Sequence, residues 1–95
     1  MTTITELKNE LKTARAMNKA GQIIDAARIA MSVQQQATRS RSRFAPELAM
    51  DAHCLAATAR MRLDNAGITD HAARSEAGRI AQASAFILHG AKWSA

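Results

Sequence analysis

Apolar residues recur at helical spacing in four stretches of this chain. Ile4, Leu7, Leu11 and Ala14 fall at steps of three and four, which is one face of a helix. Thr3 and Glu6 have the spacing of a capping box, in which each side chain satisfies an orphan backbone N–H. Together they predict a helix over 4–20, closed by Gly21. Ile23, Ala27, Ala30 and Val33 line a second helix over 22–37, with Ile24 and Met31 beside them. Pro46 suits the first turn of a third, over 46–65, because its missing N–H costs nothing there. Glu47 favours the positive end of that helix's dipole. Thr69 or Asp70 caps a fourth helix over 69–89, which is expected to stop at Gly90. A short tail follows, and its Trp93 either packs onto the bundle as a lid or stays open for a partner. Between the second and third helices, Thr38 to Arg43 contains no apolar residue, so 38–45 reads as a basic loop. The pattern predicts an all-α fold: one small four-helix domain over 1–95, built from two helical hairpins.

A faint internal repeat supports the pairing of helices. Ala20-Gly21 is followed by Ala26-Ala27-Arg28, and Ala66-Gly67 by Ala72-Ala73-Arg74, 46 residues on. Met17 and Leu63 each stand four residues before the glycine. The spacing of Met17, Gly21, Asp25 and Ala26 resembles the helical hairpin of tetratricopeptide repeats. The chain lacks that family's aromatic positions, and its offset departs from the period of about 34. The resemblance therefore implies helix–turn–helix units and no family membership.

Composition qualifies this picture. The chain has 95 residues and is 47% hydrophobic, but 22 of those residues are alanine, which buries little area. The core is expected to be thin and the helices close together. One cysteine excludes an internal disulfide framework and fits a reducing, cytoplasmic setting. The N-terminal residues lack the apolar run of a secretory signal. The longest uncharged stretch, Ile80 to Ala91, is far short of the ~20 apolar residues that span a bilayer. No membrane partner is expected.

Charge supplies the first candidate surface. Thirteen Lys and Arg stand against eight Asp and Glu, for a net charge of +5. Lys8, Lys12, Arg15 and Lys19 recur at steps of four and three along helix 1, forming a stripe beside its apolar face. Arg39, Arg41 and Arg43 alternate with serine. If that segment is extended, the three guanidiniums repeat at ~6–7 Å, similar to phosphates along one strand. The guanidinium fork suits phosphate or carboxylate. These seven residues are the expected contacts to nucleic acid, a nucleoprotein complex or an acidic protein. Aromatic interleaving is sparse, with only Phe44 near the cluster. Helix 4 is mostly small and apolar, which argues against sequence-specific readout of DNA.

Helix 3 supplies the second. Leu48, Ala52, Leu55, Ala59 and Leu63 form one apolar stripe; Met50, Cys54, Ala57 and Met61 form another on roughly the opposite side. Either helix 3 is central and buried on both sides, with the Cys54 thiol buried and inert, or the second stripe docks a partner. That partner would be a larger protein or a second copy of the chain. In this second reading the protein is an adaptor or inhibitor, of the kind a phage or plasmid uses to modulate a host complex.

Catalytic patterns are scarce. His53 and Cys54 are adjacent, so on a helix they point about 100° apart. No two histidines have the i,i+4 spacing of a helical metal site, and there is no phosphate-cradling glycine loop. The expectation is a non-enzymatic protein with no metal or cofactor.

Overall fold

Local chemistry sets where each helix starts and stops. A computed structural model describes residues 3–94, with side chains described through residue 90. It holds α1 (Ile4–Lys19), α2 (Ile23–Thr38), α3 (Ala45–Ala57), α4 (Ala59–Asn65) and α5 (His71–Ser94), and no strand among the described residues. The all-α fold is as expected; the helix count is not.

The repeat has a physical meaning at the turns. Gly21 (φ 90°) and Gly67 (φ 73°) carry the positive φ values of the described chain. In each turn the residue after glycine reaches back to the helix. Gln22 N–H donates to the Met17 carbonyl, and Ile68 N–H to the Leu63 carbonyl, both at 2.9 Å. The glycines' own N–H groups donate to Asn18 and Asp64 carbonyls at 3.1 Å. This is the Schellman arrangement, and its left-handed residue favours glycine because a Cβ would be strained there. Met17 and Leu63 are the residues that the repeat places four before each glycine.

The predicted helix 46–65 is broken. Thr58 sits at φ −99°, ψ 9°, between α3 and α4. Its hydroxyl donates to the Cys54 carbonyl at 2.6 Å, competing with the backbone bond that a continuing helix needs there. The Leu55 carbonyl accepts instead from the Arg62 guanidinium at 3.0 Å. A threonine and an arginine thus take over the ladder at the break.

The last helix also departs from expectation. Asp70, one of the two predicted caps, accepts the Ala73 N–H at 3.0 Å. At the far end Gly90 does not stop α5, which runs on to Ser94. A mid-helix glycine costs only about 1 kcal/mol relative to alanine, and the alanine and lysine that follow are good helix formers. The Trp93 side chain, read as a lid or a partner contact, lies outside the described residues.

The core is alanine-rich. Among the described residues, ten of the eighteen buried apolar side chains are alanine, so neighbouring helices meet on small side chains. Leu7 and Leu11 of α1, Val33 of α2, Leu48 and Leu55 of α3, Leu63 of α4 and Ile80 of α5 supply the larger groups. Helix α2 packs against every other helix, with Ile23, Ala26, Ala27, Ala30, Val33, Gln34 and Ala37 buried along its length. Helix 3 does not bury two faces: its Leu48 stripe points inward, while Met50 and Met61 on the other are 43% and 56% exposed. No helix among the described residues is long and apolar enough to cross a membrane.

Candidate binding surfaces

The basic loop is a series of serine turns. The Ser42 N–H donates to Ser40 Oγ and the Phe44 N–H to Ser42 Oγ, each at 3.2 Å. The Ala45 N–H closes the turn on the Ser42 carbonyl at 3.1 Å. Serine hydroxyls bond the backbone two residues on and turn it, so the extended ladder of guanidiniums is not formed. Arg39 caps the end of α2, and Arg41 lines a groove toward α5. Arg43 turns to the opposite side, toward α1.

There it meets Phe44. The Arg43 guanidinium lies 4.9 Å from the Phe44 ring centroid, and Lys8 Nζ lies 5.0 Å from it. The negative face of an aromatic ring attracts cations at this range. One half-exposed ring therefore ties the arginine loop to the basic stripe of helix 1. Below it runs a groove of about 500 Å³ between α1 and α3. Lys8, Lys12 and Arg15 form one wall, while Glu47 and Asp51 stand on the other. A second groove of about 360 Å³ continues past Arg15 and Asp51 to Lys19, Cys54 and Arg62. Beside it, Asn18 Oδ1 is buried without a hydrogen-bond partner among the described residues.

Charges on the two sides of the molecule are treated differently. Arg28 pairs with Asp25 at 3.6 Å and with Glu76 at 3.2 Å, and Arg79 meets the other oxygen of Glu76 at 3.2 Å. Arg74 pairs with Asp64. None of Lys8, Lys12, Arg15, Lys19, Arg39, Arg41 or Arg43 forms an ion pair among the described residues.

The second stripe of helix 3 points outward as a ridge. Met50, Cys54 and Met61 are exposed and Ala57 is half-buried. The expectation of a buried Cys54 thiol is therefore wrong: the thiol is free and exposed. The thiol's neighbours in the stripe face solvent because α2 and α5 cover only the inner side of α3. On one flank of the ridge, Ala37, Ala45, Pro46, Ala49, Met50 and Leu88 line an apolar groove of about 520 Å³. Arg41 stands at the same groove. On α5, Phe86 is 81% exposed, a surface aromatic that helical periodicity alone does not single out.

The polar chemistry that sequence reasoning missed lies inside. Gln34 Nε2 donates to the Ser84 carbonyl at 2.9 Å, and the Ser84 hydroxyl donates to Gln34 Oε1 at 2.5 Å. His53 Nδ1 lies 2.7 Å from the same hydroxyl oxygen. With the Ser84 proton directed at Gln34, the oxygen accepts, which requires a proton on Nδ1 of His53. The pair superficially resembles a nucleophile and its base, but the roles are reversed. Ser84 is 0% exposed and its proton is committed to an amide, so the network joins α2, α3 and α5 and offers no attacking oxygen. A legible signal existed: Gln34 occupies a core position, four residues after Ala30 and three before Ala37. His71 and His89 are exposed and take no part in the network. No group of three or more His, Cys, Asp or Glu among the described residues is arranged to hold a metal.

No known protein family matches the chain, and no curated protein or solved structure is significantly similar to it.

Proposed function

We propose that this is a small non-enzymatic binding protein that contacts nucleic acid or a nucleoprotein complex through the surface joining helix 1 to the arginine loop. One observation carries the reading: Lys8 and Arg43 both lie against the Phe44 ring, which brings the last arginine of the loop to the basic stripe of helix 1. The candidate cations form no ion pairs among the described residues, so their field is available to phosphate, whereas Arg28, Arg74 and Arg79 are neutralised internally. Lys and Arg that neutralise phosphates release counterions, so binding is expected to weaken steeply as salt rises. An electrophoretic mobility shift at two salt concentrations tests this. Binding that is unchanged after Arg39, Arg41 and Arg43 are all replaced by Ala removes the loop from the interface.

A second reading is favoured by a separate observation, the exposed Met50–Cys54–Met61 ridge beside the apolar groove. Methionine suits adaptable contacts, and a protein partner or second copy seated there would make the chain an adaptor or inhibitor. Light scattering on the isolated chain and on M50E/M61E separates the cases. A concentration-dependent dimer that disappears in the variant supports self-docking.

A further inference from the structure

We propose that the groove between α1 and α3 is a site for an unpaired nucleotide of single-stranded nucleic acid, with a preference for bases that carry an exocyclic amine. The inference rests on the nucleic-acid reading and names what that surface would hold. Three chemistries meet in one place. Lys8, Lys12 and Arg15 on the α1 wall offer donors to phosphate, and Arg43 adds a planar fork at the mouth. Phe44, 47% exposed, offers a π-face at the same end. Glu47 and Asp51 on the α3 wall offer acceptors.

The carboxylates decide between ligand classes. A purely phosphate-tracking surface gains nothing from them, since they repel the backbone. Neither pairs within 4.0 Å with a cation among the described residues, so they are not held there as ion-pair partners. A base brings its own donor to such a wall. Glutamate and aspartate accept from the N4 amine of cytosine, and adenine offers a similar amine, whereas thymine presents a carbonyl oxygen in its place. A groove of about 500 Å³ is within the ~300–1,000 Å³ range of small-ligand sites. A base inside a duplex is stacked between its neighbours and cannot enter it; a splayed base can.

Phe44 also orders the cations. An arginine guanidinium held against an aromatic ring has less freedom to lose on binding. Lys8 has a flexible stem, so its ammonium moves onto the phosphate as the base takes its place over the ring.

The test uses the full chain with fluorescein-labelled oligo(dC), oligo(dT) and a mixed-sequence duplex of equal length, read by anisotropy at low salt. The expected order is oligo(dC) several-fold tighter than oligo(dT), and the duplex weakest. F44A should weaken oligo(dC) roughly tenfold, as loss of one stacked base does. F44L keeps the apolar bulk without the π-face, and should lose nearly as much while retaining helicity by circular dichroism. E47A/D51A should abolish the preference for oligo(dC) while oligo(dT) binds as well as before or better. Equal affinity for oligo(dC) and oligo(dT), or a duplex that binds as tightly as either, overturns this inference and leaves the broader reading standing. No binding to any of the three at low salt overturns both.

Discussion

Two polar constellations in this protein solve opposite problems. Gln34, Ser84 and His53 form a closed set, in which the amide, hydroxyl and ring nitrogen answer one another within 2.9 Å. The basic residues are open: the seven candidate cations make no ion pairs among the described residues, and two of them share one ring. Burial explains the contrast. A buried polar group without a partner costs the full desolvation penalty, and the fully buried Gln34 and Ser84 meet it by pairing within the fold. An exposed cation is already solvated and can wait for an external anion at little cost. The closed set thus joins three helices, while the open set stays without internal ion-pair partners among the described residues.

This comparison can be broken from either side. The largest effect is expected at the closed set. Replacing Gln34 by Leu should destabilise the chain by ~1–3 kcal/mol in urea unfolding, because the Ser84 hydroxyl is left without its acceptor. Adding Ser84→Ala should recover part of that loss, since it removes the orphaned hydroxyl and leaves only the half-buried His53 ring to turn to water. Neither change should alter oligonucleotide affinity in the folded protein. The converse holds at the open set. Lys8, Lys12 and Arg15 replaced together by Ala should leave stability within about 0.5 kcal/mol, as surface changes usually do. The slope of log K against log salt should fall by ~2 for a single strand, about 0.7 for each phosphate no longer neutralised. A slope that stays put would remove helix 1 from the interface.

Smaller effects sharpen the boundary between the two. Gly67→Ala should cost on the order of 1 kcal/mol, because its φ of 73° is unfavourable for a residue with a Cβ. Gly21→Ala should cost about as much, and a clear inequality would show that the two turns are not equivalent. The least is expected from the paired exposed charges. E76Q removes the shared partner of Arg28 and Arg79, and should shift stability by less than about 1 kcal/mol, and less still at high salt.

Much of the fold was legible because helices are local. Thr3, Gly21, Gly67 and Asp70 carry their signals within a few residues, and the structure uses each of them as a cap or turn. The break at Thr58 was not legible, since threonine and arginine occur inside helices and only the Cys54 and Leu55 carbonyls show what they displace. Gly90 misled for the opposite reason: a weak local stop signal did not outweigh the helix formers around it. The candidate residues of the basic face were all visible, but their grouping was not. Alternating arginines suggested one ladder, and the serines between them turn the backbone so that Arg41 and Arg43 serve different grooves.

The sequence by itself determined the helical class, the two glycine turns, the alanine-rich core and the excess of positive charge. Each follows from composition or from spacing along a single helix, where neighbours are set by the chain. Only the tertiary structure decided which charges cancel, which methionines face solvent and that Lys8 lies with Arg43 against the Phe44 ring. Those facts depend on residues far apart in the chain, 48 positions in the Arg28–Glu76 pair, and helix packing alone brings such residues together.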